Sequence, residues 1–384
     1  MRHPFAAVVL TVLATACGDA VPTAGPAALA LQQVLGGVGD LAGFARATSP
    51  PDLVFPRDHG SHLAFRTEWW YVTGNLDAAN GRRFGVQLVF FRQALAATVP
   101  ERGASLAARD VILAHAAVTD VDGGTFHADE RMARAAAGLG EVSGGEGEPF
   151  RIVCADWSAR SRAGGDGFLP LALHAAARDF AFDLRVLPGK PPVLQGDHGL
   201  SQKSDEPGNA SIYYSMTRLP IDGVVEVAGE RHDVRGLCWL DREWSTAALA
   251  ADQVGWDWFS LQLDNGEELM WYQLRRRDGS VDPWRRGSLV GADGKVTPLL
   301  PATTTATPSG SWTAADGRAR YPARFRLVGG DPSFDLEVTP LLADQELRVL
   351  VRYWEGAVAV RGLREGKPVQ GRGYLEMTGY TLPR

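Results

Sequence analysis

The chain has 384 residues, more than a usual single domain holds, so two domains are expected. Its net charge of −6 is spread without long runs of one sign. That leaves no basic footprint for nucleic acid and no polybasic membrane patch. Eleven Trp outnumber eight Tyr, and the Trp residues gather in a few strand-like segments, as a pocket or barrel core would need.

The first residues read as an export signal. Arg2 and His3 precede the apolar run Phe5 to Leu13, and Ala14-Thr15-Ala16-Cys17 follows. The run is too short to span a bilayer and ends in small residues suited to signal cleavage. A Cys directly after them resembles a lipobox, in which the cysteine is lipidated and becomes the mature N-terminus. Ordinary cleavage beside an incidental Cys is the alternative. Residues 1–16 are therefore read as a signal peptide, and 17–48 as lipidated Cys17 plus an Ala/Gly/Pro-rich tether. A short helix is expected within that tether near Leu31 to Ala47. Gly37 to Ala42 loosely mimics a dinucleotide loop but follows no strand, so it is set aside. The expected location is periplasmic, on a lipid anchor.

Ordered structure is expected from about Phe55 onward, as short strands divided by turns. Phe180, Phe182, Leu184 and Val186 alternate with polar or small residues, and Phe334, Leu336 and Val338 do the same. Asn80-Gly81 and Asp264-Asn265-Gly266 are hairpin signals, with further turns at Asp278-Gly279 and Asp293-Gly294. Helical patterns are few, the best running from Asp129 to Leu139. The class is all-β, as antiparallel barrels or sandwiches. The Ala-rich stretch Thr246 to Ala251 marks a seam between a domain over 49–245 and another over 246–384. Cys154 and Cys238 fall in predicted strands and read as buried thiols rather than a disulfide.

Two segments carry candidate chemistry. In Phe65 to Asn75 a carboxylate, two tryptophans and a tyrosine are consecutive, at Glu68-Trp69-Trp70-Tyr71. Strand alternation puts Glu68 and Trp70 on one face, Trp69 and Tyr71 on the other. The second segment is Trp239-Leu240-Asp241-Arg242-Glu243-Trp244-Ser245. Together they point to an aromatic pocket with acidic groups. Glu68 either pairs with Arg66 or Arg242, or joins Asp241 as a desolvated acid beside aromatic faces that would stabilise a developing cation. His59-Gly60-Ser61-His62 is the closest histidine pair, yet it lacks zinc spacing, so His59 is read as structural or pocket-lining and no metal is expected. Phosphate-loop, kinase and Gly-x-Ser-x-Gly signatures are absent.

Phe55-Pro56-Arg57-Asp58-His59-Gly60 followed by Thr67 to Gly74 resembles the opening of the AttH-like proteins, grouped with the carotenoid 1,2-hydratases in one lipocalin-like superfamily. Gly208 to Ser215, Gly236 to Ser245, Tyr353 to Val358 and Gly373 to Tyr380 extend the resemblance over essentially residues 50–384. The resemblance implies two tandem lipocalin-like barrels and a pocket for a lipid- or isoprenoid-like small molecule. Components of an ABC-type export system are implied as partners. Trp69, Trp70, Tyr71, Tyr214 and Trp244, with Glu68 and His59, would line that pocket. The hydratase branch implies cofactor-independent protonation of a C=C bond by an Asp, with water capturing the cation beside aromatic rings. Asp241 matches that acid, and Trp239 takes the place of a pocket Tyr. Near Tyr213 and Ser215 the hydratases have a His and a Trp, so this chain departs there, with Tyr213 or Tyr214 as a substitute partner for the acid. A secreted hydrolase using Glu68 and Asp241 as an acid/base pair is the remaining alternative.

Overall fold

The computed structural model describes residues 41–98, 108–145, 148–162 and 167–382. Apart from a single 3-10 turn at Arg57–His59, the regular elements are strands. The first series is β1 (Thr67–Ala78), β2 (Arg83–Ala94), β3 (Asp110–Asp120), β4 (Thr125–Arg134), β5 (Gly140–Gly145), β6 (Glu148–Cys154) and β7 (Trp157–Ser161). It continues with β8 (Leu171–Ala176), β9 (Phe180–Val186), β10 (Val193–Leu194), β11 (Leu200–Gln202), β12 (Ala210–Val227) and β13 (Glu230–Ala247). The second series opens with β14 (Gln253–Leu263), β15 (Glu268–Arg276), β16 (Arg286–Val290), β17 (Val296–Leu299), β18 (Thr304–Ser309) and β19 (Trp312–Thr313). It closes with β20 (Arg320–Tyr321), β21 (Arg324–Gly329), β22 (Phe334–Pro340), β23 (Glu346–Leu347), β24 (Tyr353–Arg364) and β25 (Lys367–Thr378).

Each series makes its own antiparallel sheet, with one plan, except that β19 and β20 pair only with each other. In the first, the meander β4-β3-β2-β1 joins the last strand, β13, and then runs back through β12, β9, β8, β7 and β6 to β5. In the second, β17-β16-β15-β14 joins its last strand, β25, and then runs back through β24, β22 and β21 to β18. Strands β5 and β6 pack against β3 and β4, which brings the ends of the first sheet together. These are the tandem lipocalin-like barrels expected from the sequence. Gly81 and Gly266 take φ of +85° and +84° in the hairpins signalled by Asn80-Gly81 and Asn265-Gly266. In β9 the inward residues Phe180, Phe182, Leu184 and Val186 are buried, as the alternation requires.

Three apolar clusters follow from this plan. One fills the first barrel, a second fills the other, and a third lies between them, joining Tyr71, Val89, Tyr213 and Trp239 to Trp258, Tyr272, Leu274 and Tyr374. The barrels approach closely at Gly85. A Cβ there would sit 2.6 Å from the Tyr374 hydroxyl and 2.7 Å from Ala357 Cβ, so any side chain would push them apart.

Two expectations are corrected. Asp129 to Leu139 is not helical; through Arg134 it is part of β4, paired residue by residue with β3. Long-range pairing at the sheet edge outweighs the weak helical preference of its Ala and Arg residues. Residues 41–47 likewise contain no helix; the rest of that stretch, with Cys17 and the signal segment, lies outside the described residues. Cys154 and Cys238 are both buried free thiols.

Candidate functional site

Strand alternation sorts the predicted site residues into two groups on opposite faces of the first sheet. On β13, Trp239, Asp241 and Glu243 point out of the first barrel, whereas Leu240, Arg242 and Trp244 point into it. Register places Tyr71 of β1 beside Asp241 on one side and Ser215 of β12 on the other; Trp69 and Tyr213 flank Glu243 in the same way. The outward group meets the second barrel across a cavity. Trp256 and Trp258 of β14, Tyr272 of β15, Tyr353 of β24 and Glu376 of β25 form its far wall. Its volume is about 80 Å³, room for several waters or a small apolar group. A cavity inside the first barrel, lined by Trp70 and Phe90 among others, holds about 10 Å³. The cavity that holds Asp241 therefore lies between the barrels, not inside the first one.

Asp241 is the chemical centre of this cavity. It is 4 % exposed, and both its oxygens accept hydrogen bonds. Tyr213 Oη donates to Oδ2 at 2.6 Å; Ser215 Oγ and Trp239 Nε1 donate to Oδ1 at 2.6 and 2.7 Å. Burial pushes its pKa up to about 7, a rise that the nearby Glu243 supports and the three donors oppose. An aspartic acid in this state is half protonated near neutrality, as a proton donor needs to be. The sequence-level departure from the hydratases thus falls on residues that hold the acid, since Tyr213 and Ser215 both hydrogen bond to it. Tyr213 Oη also accepts from Trp258 Nε1 at 3.1 Å, which ties Asp241 to the second barrel. Trp258 packs edge-on against Tyr71 and Trp239, with centroids 5.2 and 6.3 Å apart.

The other predicted pocket residues do not line the cavity. Glu68, Trp70, Tyr214 and Trp244 lie on the inner face of the first sheet, and His59 of the 3-10 turn packs against them. Glu68 Oε1 accepts from Arg92 Nε at 2.5 Å, Oε2 accepts from Arg242 Nη2 at 2.7 Å, and the His62 amide donates to it at 3.0 Å. Those cations hold its carboxyl far below the usual range despite complete burial. The Arg242 guanidinium lies 3.7 Å over the Trp70 ring, and His62 stacks on Trp244 at 3.6 Å. His59 Nδ1 is 2.6 Å from Tyr214 Oη, and its ring stacks on Phe168 at 3.9 Å. Glu68 and Asp241 occupy opposite faces, so they cannot flank one substrate as an acid/base pair.

Sequence reasoning missed the far wall. Trp256, Trp258 and Tyr272 carry no charge pattern that points to a site. Tyr353 and Glu376 do sit in the two C-terminal segments that carried the family resemblance, and that signal could have found them. Lys203, the one cation lining the cavity among the described residues, was missed too; it lies 3.4 Å from Glu243 and 4.0 Å over the Tyr272 ring. Among the described residues no group of three or more His, Cys, Asp or Glu is placed to hold a metal ion.

Fold and site together define a tandem lipocalin-like protein with an acid in an aromatic cavity at the barrel junction. The chain belongs to the AttH-like family, whose model matches residues 46–380. A provisionally named AttH from Nitrosomonas europaea is 36% identical, with a TM-score of 0.76 over 88% of this chain and 100% of that one. Kievitone hydratase from Nectria haematococca superposes with a TM-score of 0.67 at 16% identity, over 88% of this chain and 97% of its own. CghA, solved with Sch210972, gives 0.52 at 13% identity, over 89% and 97%. At such identities the last two likenesses are likenesses of fold. No curated protein matches the chain by sequence.

Proposed function

We propose that the junction cavity binds an apolar small molecule carrying an isolated C=C bond and that Asp241 protonates it. The observation that carries this reading is a buried carboxyl, poised near neutrality, among aromatic rings. In the proposed step the proton of Asp241 passes to one alkene carbon, and a cation develops on the other. The faces of Tyr71, Trp239 and Trp258 are the candidates to stabilise it. Water then adds to the cation and loses a proton, which restores Asp241 and yields the alcohol. Tyr213, Ser215 and Trp239 orient the acid and take up the carboxylate charge left after transfer. The resemblance to the hydratases supports the same chemistry, and hydration is also the reaction named by the kievitone hydratase neighbour.

The test is Asp241→Asn against a panel of apolar alkenes, with products read by mass spectrometry. Conversion should be lost while ligand affinity stays within a few-fold. Turnover that survives in the variant would overturn Asp241 as the acid, and a wild-type protein that binds the panel and returns every member unaltered would reduce the protein to a carrier. We propose further that the protein works on the periplasmic side of a membrane, tethered through lipidated Cys17 and serving an ABC-type export system. Cys17→Ser should then move it from the membrane to the soluble fraction, and unchanged fractionation would remove the anchor from this proposal.

A further inference from the structure

Opposite Asp241, the second barrel carries two carboxyl groups that no cation among the described residues pairs with. Glu355 and Glu376 face each other directly across β24 and β25, so their side chains share one face. Glu355 is fully buried. Its Oε1 accepts from Tyr71 Oη at 2.5 Å, and its Oε2 has no hydrogen-bond partner among the described residues. Glu376 lines the cavity, and its Oε2 accepts from Trp256 Nε1 at 3.0 Å. The charged and titratable groups acting on the pair are Asp241 and Glu243 of β13, Tyr71 of β1, Tyr353 of β24 and Tyr374 of β25. None of these is a cation. Lys203 is committed to Glu243.

Burying two carboxylates side by side without a counter-ion is costly enough that at least one keeps its proton. Burial, reinforced by neighbouring carboxylates, raises Glu376 to about 7 and Glu355 well above the usual range. The wall thus holds Glu376 and the rings of Tyr71, Trp256 and Trp258, and directly beside Glu376 the buried Glu355 keeps an unsatisfied oxygen. A hydrophobic cation would meet both needs at once, since its charge replaces the proton and its alkyl groups lie against ring faces.

We propose that Glu376 and the rings around it, backed by the buried charge of its neighbour Glu355, form a subsite for the positively charged end of an otherwise apolar ligand, of the alkylammonium class, which displaces one proton to solvent on binding. The proposal rests on the junction cavity being the ligand site, but not on Asp241 performing chemistry. A carbocation formed beside the pair would be stabilised by the same charge.

The experiment titrates the full-length protein with benzyltrimethylammonium and with its neutral carbon isostere, neopentylbenzene, following tryptophan fluorescence and heat. The cation should bind at least about tenfold tighter at pH near 8, and its affinity should rise by up to about tenfold per pH unit around neutrality, since one proton leaves per cation bound. Calorimetry at pH near 6, in two buffers of different ionisation heat, should then show about one proton released. Asp241→Asn should keep both effects. The double variant Glu355→Gln, Glu376→Gln should lose at least tenfold in cation affinity and all pH dependence, while the isostere, as the control for folding, binds as before. Equal affinity for the two probes, pH-independent binding, or an unchanged double variant would overturn the subsite. Loss of proton release in Asp241→Asn would overturn it too, by assigning the proton to Asp241. Binding of neither probe would remove the cavity reading and this one together. Alkene conversion without cation preference would leave the Asp241 proposal standing alone.

Discussion

Glu68 and Asp241 stand on neighbouring, hydrogen-bonded strands, both sealed from solvent, and they have been driven in opposite directions. Inside the first barrel Glu68 meets two guanidinium groups and keeps its charge. Outside the barrel Asp241 meets a phenol, an alcohol and an indole, and it holds a proton up to about pH 7. Desolvation is the largest influence on both and has the same sign. Full positive charge outweighs it on the inner face; neutral donors offset only part of it on the outer face. The inner carboxylate is therefore a structural tie, and the outer one is available for proton transfer.

The largest effect expected from breaking this contrast is on the inner face. Glu68→Gln leaves Arg92 and Arg242 buried with one counter-charge removed, which should cost about 3–5 kcal/mol in chemical denaturation. A loss under 1 kcal/mol would mean that the tie is not structural (about the size of a surface pair).

A smaller effect, opposite in pH sign, is expected on the outer face. Glu68 has a lowered pKa, so the stability it contributes is present above its unfolded value of 4.5 and is lost on acidification. Asp241 has a raised pKa, so the folded state binds more protons than the unfolded one between 3.8 and about 7, and stability falls as pH rises through that window. Asp241→Asn should remove that fall. Its stability relative to wild type should improve from about pH 4 to about pH 8. A difference independent of pH would show that Asp241 titrates normally.

Smallest of the three is Tyr213→Phe. It deletes a donor that holds the Asp241 carboxylate down, so the alkaline limb of any Asp241-dependent activity should move to higher pH. The accompanying stability loss should be about 1 kcal/mol. A limb moving to lower pH would invert the role given to Tyr213.

Much of this architecture was written locally. Alternation in β9 and β22, the Asn-Gly and Asp-Gly turns, and the division of Glu68 and Trp70 from Trp69 and Tyr71 all follow from neighbours in the chain, because side-chain period and turn conformation are local properties. The choice of face was not local. Along β1 and β13 near the site both faces are buried, one against the barrel interior and the other against the second barrel, so no polar face marks the outside. Hence Trp70, Tyr214 and Trp244 read as pocket residues but pack the barrel, while Trp69, Tyr71, Tyr213 and Asp241 reach the cavity. Its remaining wall comes from Trp258, Tyr353 and Glu376, supplied by a separate sheet later in the chain. Residue types and spacing thus set the strands, the turns and the family, and they nominated Asp241. The docking of one barrel on the other, a matter of contacts between residues far apart in the chain, made that aspartate an acid and gave it a cavity to act in.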